Sequence, residues 1–437
     1  MRSKLFFLMA ALLILFGMNA ATPTQAAPSA ATAGQLRATL VVLLTEHVAL
    51  ASSATGNALG GRDAGFKAAA DALDGNSVDL SKAVASIYGQ GAGDAFLPLW
   101  RKHIGFFVDY TLGVAAKDKA KQDKAVNDLV AYTQEFGAFL NSANPNLPKN
   151  AVADLVKMHV LTLKDVVDAQ AAGDNVKQFT ALRQAYAHMD MIGSALAGGI
   201  AKQFPDKFTG KADSAGAGLR TTLNWALTEH TYLAARATGA ALGGRTDEFN
   251  AAAAALDGNS VDLSKAVASI YGQGAGDAFL PLWRKHIGFF VDYTQGLAAK
   301  DKAKQDKAIN DLLAYTQEFG AFLASANPNL PKDAVADLVK MHALTLKDVI
   351  DAQGANDQPK VYSALRTAFG HMPMIANPLA DAIIKQFPAK FSEAPVTVPQ
   401  TGGESVADSL YVFMLLSLAI VLFTVSYVLK TSMRRTQ

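Results

Sequence analysis

Histidine is the residue of this chain best placed to do chemistry. There are eight histidines, and their spacing is regular. His47, His103 and His159 stand at equal intervals, and His188 follows. The set returns in the same order and at the same intervals as His230, His286, His342 and His371. A neutral imidazole binds Cu(II), Zn(II), Ni(II) or Fe(II), and a histidine pair can hold haem iron from its two axial sides. Cysteine is absent, which excludes thiolate metal sites, disulfides and cysteine nucleophiles. Met158, Met189 and Met191 flank the third and fourth histidines and recur as Met341, Met372 and Met374. Thioethers add a preference for Cu(I). The eight histidines are thus candidate metal ligands, with copper the leading ion and haem the alternative cofactor. A hydrogen-bonded core histidine copied by duplication would give the same spacing, so a packing role stands beside the ligand role.

The elements that must carry these residues read as helices. Leu36, Leu40, Leu43, Leu44, His47 and Leu50 recur at three- and four-residue steps, the helical period, and no segment sustains period-two alternation. Turns fall near Gly61, Asp118 and Asp174. His47, His103 and His159 each precede one of these by about four turns of helix, and His188 follows the last by about four. At about 1.5 Å of rise per residue, all four share one depth in an up-and-down arrangement, roughly 21 to 23 Å from one end. His47 shares its face with Leu43, Leu44, Leu50 and Ala51; His103 with Leu99, Trp100, Phe106 and Phe107; His159 with Leu155, Val156, Thr162 and Leu163. These three imidazoles are expected to point inward, whereas His188 sits on a more mixed face with Gln184 and Met191. Tyr132 falls at the same level, about four helical turns after Asp118. Asp109 and Asp165 lie off the histidine face and are candidates to support a ligand from a neighbouring helix. Asp74-Gly75-Asn76-Ser77 is a candidate break in the second helix, Asp94 a candidate N-cap of the third, and Pro373 a candidate kink beside His371.

Enzyme motifs are missing: no Gly-x-Ser-x-Gly, Walker loop, His-Glu-x-x-His or dinucleotide-binding glycine motif occurs, nor a Glu-x-x-His pair of the di-iron type. The 40 basic and 38 acidic residues form no basic stripe, so nucleic acid is not an expected partner.

A duplication organises the chain. Residues 72–111 and 255–294 are identical, and similarity runs without a gap from about 36–208 to 219–391. The expectation is an all-α protein made of a tandem pair of roughly six-helix bundles, each of three hairpins. The repeats span 32–208 and 216–391, joined by a linker at 209–215.

The ends read as export and anchoring signals. Arg2, Lys4 and the apolar run Leu5–Phe16 fit a signal peptide over 1–27, cleaved near Ala26. A stalk over 392–409 precedes an uncharged transmembrane segment, 410–429, and a basic cytoplasmic tail, 430–437. Val398-Pro399-Gln400-Thr401-Gly402, then the apolar span, then Lys430, Arg434 and Arg435, resembles the cell-wall sorting signal of Gram-positive surface proteins. Valine stands where that family usually has leucine. The resemblance implies sortase cleavage between Thr401 and Gly402 and linkage of Thr401 to peptidoglycan. The alternative is a plain membrane anchor. The helical repeat also faintly resembles secreted Gram-positive proteins labelled copper-amine-oxidase-like, though the Asn-Tyr pair of that enzyme's cofactor motif is missing.

The functional expectation is an extracytoplasmic, surface-anchored binding protein with a histidine-lined, copper-type metal site in each repeat. A haem-binding surface protein and an adhesive or spacer module of the wall are the alternatives.

Overall fold

In the computed structural model, described for residues 31–391, helix accounts for nearly every residue. The first copy supplies α1 (Ala33–Leu59), α2 (Asp63–Tyr88), α3 (Gln90–Ala115), α4 (Lys119–Ala143), α5 (Lys149–Ala171) and α6 (Asn175–Gln203). The second supplies α7 (Ala215–Leu242), α8 (Thr246–Tyr271), α9 (Gln273–Ala298), α10 (Lys302–Ala326), α11 (Lys332–Gly354) and α12 (Gln358–Gln386), followed by the short α13 (Pro388–Phe391). The two-residue strands β1 (Ala31–Thr32) and β2 (Phe208–Thr209) pair in parallel and tie the start of the first copy to its end. The signal peptide, sorting motif and transmembrane segment expected from the sequence lie outside the described residues.

Local chemistry sets the helix ends. Thr32 and Gln35 form a reciprocal capping box at the start of α1. Asp118, Asp174, Asp301 and Asp357 each accept a backbone N–H three residues on, relieving the orphan donors of a first turn. Two expected interruptions are absent and one expected cap is misplaced. Asp74-Gly75-Asn76-Ser77 stays inside α2, because Asn76 is buried and donates its amide to the Leu43 carbonyl and to Glu46. Asp94 caps nothing; α3 starts at Gln90, directly after Gly89, which alone in that stretch takes a positive φ, of 92°. Gly93 lies within α3 because a Cβ there would come within 2.8 Å of the Ser81 carbonyl and of Ala85. The glycine-rich stretch therefore serves close packing of α3 on α2. Pro373 likewise sits inside an unbroken α12.

Each helix packs on the next in sequence, and α6 returns to α1. That leaves α1 as the core helix of the first copy, and it is buried on almost every face. It is long and apolar enough to cross a membrane, but 89% of its most apolar window is covered by other helices. Its counterpart α7 packs against it. One cluster of buried side chains runs through both copies, from Leu44 to Phe369. The copies meet through reciprocal contacts, α2 with α12 and α8 with α6, the pattern of an approximate twofold axis. Arg366 reaches Glu46 at 2.7 Å and Asp79 at 2.6 Å; Arg183 reaches Glu229 at 2.9 Å and Asp262 at 2.7 Å. Gly75 leaves the room that the Arg366 guanidinium occupies. The linker is held as well, since Arg37 donates to the Ala212 carbonyl.

Candidate metal centre

Three of the four histidines in each copy converge. His47 on α1, His103 on α3 and His159 on α5 bring one ring nitrogen each within 4.8 Å of one another, and His230, His286 and His342 repeat the cluster on α7, α9 and α11. All six are buried. The Nε2 atoms of His47 and His103 are 3.3 Å apart, as are those of His230 and His286. His159 stands a little farther out, its ring centroid 5.8 Å from that of His47 and 6.3 Å from that of His103.

The fourth histidine does not join them. His188 Nε2 lies 2.8 Å from the Leu155 carbonyl, and His371 Nε2 lies 3.0 Å from that of Leu338. Each therefore ties its own helix to the one before it. Shared depth brought these residues level with the triad, but their direction around the helix engages a carbonyl.

Hydrogen bonding within the triad is incomplete. Among the described residues, His159 and His342 find no hydrogen-bond partner for either ring nitrogen, and the Nδ1 atoms of His47, His103, His230 and His286 find none. Buried polar atoms of native proteins are nearly always paired, with protein, ordered water or an ion. Burial holds the rings neutral. It lowers His103 to about 4 and His159 to about 3, with the neighbouring imidazoles adding to the shift at His159. The Trp100 carbonyl, one turn back, opposes the shift of His103 without a hydrogen bond of ordinary geometry. His286 is lowered to about 3 and His342 to about 4 by the same burial, and His47 and His230 fall well below 6.5. All six are unprotonated bases at neutral pH, the form that binds metal.

Aromatic rings wall the cluster. Trp100 lies 4.9 Å from His47 and 4.6 Å from His103, and Tyr132 lies 5.2 Å from His103, between ring centroids. The Tyr132 hydroxyl and Trp100 Nε1 are buried and make no hydrogen bond with a described residue; Tyr315 and Trp283 repeat this. Beside the first triad is an apolar cavity of about 100 Å³, walled by Trp100, Tyr132, Phe136 and Met189 as well as the histidines, and the second has one of about 120 Å³. A further cavity of about 190 Å³ touches His47 and His103 from the other side, toward Asp63 and Thr111. A ligand bound to the triad would thus have space on both sides.

The remaining candidates separate cleanly. Met189 and Met372 are buried beside the triads, but Met158, Met191, Met341 and Met374 are about half exposed. Asp109 and Asp165 face solvent, and Asp109 pairs with Lys121. Glu46, adjacent to His47, is buried and committed to Asn76 and Arg366. Trp100, three residues before His103 and on the same helix face, packs beside the triad as that spacing implies. Comparison with protein-family models, curated proteins and solved structures found no match for this chain.

Proposed function

We propose that this chain is an extracytoplasmic, surface-anchored metal-binding protein that holds one transition-metal ion in each helical bundle, on His47, His103 and His159 and on His230, His286 and His342. The observation that carries the reading is the triad itself: three buried, neutral imidazoles whose closest donor atoms are 3.3 Å apart. Two nitrogens bound tetrahedrally at about 2.0–2.1 Å are separated by about 3.3 Å, so the His47–His103 spacing suits one shared ion. His159, with a ring nitrogen within 4.8 Å of the other two, would move inward to complete the set. Three protein ligands leave a fourth position open, as in catalytic zinc sites. A donor set of imidazoles with a nearby thioether and no carboxylate favours copper over the harder ions. Two imidazoles whose Nε2 atoms are 3.3 Å apart do not suit the opposite faces of a haem. Surface display rests on the sorting-type motif at Val398–Gly402, with sortase, peptidoglycan and the membrane as the implied partners.

The test is metal content and thermal stability of the purified chain with Cu, Zn, Ni or Fe ions, against a variant carrying His159→Leu and His342→Leu. Two ions per chain are expected for the wild type and none for the variant. At a free-ion concentration one hundred times Kd, each site adds about 2.7 kcal/mol to stability. A wild-type chain that takes up no ion and gains no stability would make the triads packing residues.

A further inference from the structure

The two copies are near-identical over much of their length, and one of the places where they part is a cleft on the pseudo-twofold interface. Its volume is about 580 Å³, within the range of roughly 300–1,000 Å³ usual for small-ligand sites. Arg62 of the first copy and Arg236, Arg245 and Lys300 of the second line it, together with Tyr232 and Tyr362. At equivalent positions of the two copies, Arg236 replaces Ser53, Tyr232 replaces Ala49 and Tyr362 replaces Phe179. Asn356, also on the cleft, takes a left-handed φ of 54° where the first copy has Gly173. Glu248, the partner of Arg236, stands where the first copy has Gly65, so divergence has placed an ion pair, two hydroxyls and an amide on one side of an otherwise symmetric junction.

The charge of the cleft is unbalanced. Among the described residues, Glu248 is the only carboxylate paired with these arginines, and it serves both Arg236 and Arg245. Arg62 donates Nε–H to the Asn57 side chain and one Nη2–H to the Gly56 carbonyl, makes no hydrogen bond through Nη1 to a described residue and forms no ion pair with one. Burial lowers its pKa, and repulsion from Arg236 and Arg245 lowers it further. The Arg236 side chain is only 13% exposed, and its Nε makes no hydrogen bond with a described residue. Lys300, exposed at the rim, forms no ion pair among the described residues. Guanidinium forks bind carboxylate and phosphate groups through paired donors. The phenol hydroxyls are already oriented, Tyr232 against Ser53 and Tyr362 by Asn57. Leu242, Leu297, Val361 and Leu365 supply an apolar wall beyond the charges.

We propose that this cleft is a second binding site, distinct from the histidine triads, for a small organic anion. Its carboxylate or phosphate group is held by Arg62 and Arg236, and its apolar body lies against the leucine wall. A bare inorganic anion would leave the apolar part of the cavity unfilled, and a neutral molecule would leave the guanidiniums unbalanced.

Titration calorimetry of the full-length chain in chelator, which removes any contribution from the triads, tests this with phenyl phosphate, benzoate, inorganic phosphate and benzyl alcohol. Phenyl phosphate or benzoate should bind saturably at one per chain, inorganic phosphate at least tenfold more weakly and benzyl alcohol not at all. Arg62→Gln and Arg236→Gln should each weaken binding at least tenfold while helical circular dichroism is unchanged. If Arg236→Gln fails to fold, Arg62→Gln and the exposed Lys300→Gln decide, the latter with a smaller loss. Absence of saturable binding to either aromatic anion, or equal affinity in wild type and folded variants, would make the cleft a structural charge cluster.

Discussion

Acid should unfold the metal-free protein well above the pH at which its own buried histidines titrate. Six triad imidazoles are held neutral in the fold, with His103 and His342 lowered to about 4, His159 and His286 to about 3, and His47 and His230 shifted in the same direction. In the unfolded chain each returns to about 6.5. The unfolded state therefore binds more protons throughout the interval between these values, and stability falls as pH falls. The histidine contribution is whole above about pH 6.5 and is lost progressively toward pH 4. At pH 5.5 each unfolded-state imidazole gains about 1.4 kcal/mol from protonation that its folded counterpart forgoes. Six of them total about 8 kcal/mol, comparable with the entire stability of roughly 5–15 kcal/mol expected of a folded domain. Thermal melts in chelator from pH 7.5 to 5 should show a steep decline, with unfolding at room temperature between about pH 5 and 6. His159→Leu with His342→Leu should remove about a third of the pH dependence, and a bound ion should move the transition to lower pH. A melting temperature that stays level from pH 7.5 to 5 would refute the reasoning, because six neutral buried imidazoles cannot be insensitive to that change.

Three further outcomes are expected. Arg366→Ala strips Glu46, whose side chain is 7% exposed, of its ion-pair partner and should cost about 3–5 kcal/mol by urea unfolding, with Arg183→Ala doing the same to Glu229; a loss below about 1 kcal/mol would mean the copies are not locked by these pairs. Tyr132→Phe removes a buried hydroxyl that has no partner among the described residues and should leave metal-free stability unchanged or raise it by about 1 kcal/mol, whereas Tyr110→Phe breaks a 2.6 Å bond to Asp168 and should cost about 1 kcal/mol, both by denaturant titration. Thr401→Ala should hold the protein in the membrane fraction and out of the wall fraction, and unchanged wall attachment would leave a simple membrane anchor in place of sorting.

What the sequence alone determined was periodic. The three- and four-residue recurrence of apolar residues made the chain helical, because only a helix puts Leu43, His47 and Leu50 on one face. The equal steps between His47, His103 and His159 placed them at one level, since helix rise per residue is constant. Spacing determines depth but not azimuth, and that is where tertiary structure decided. His188 shares the level of the triad, yet the way α6 packs on α5 aims its ring at the Leu155 carbonyl. The Asp74–Ser77 stretch looked like a helix break by local propensity, but burial of Asn76 against the Leu43 carbonyl and Glu46 held the helix together. Glu46 itself was unreadable from its own helix, because its partner Arg366 is 320 residues away in the other copy. The same holds for the cationic cleft: Arg62 and Arg236 belong to different copies, and nothing in either local stretch announces the other. Side-chain type and period are local properties of a chain, whereas the pairing of charges across an interface exists only after the two bundles have packed.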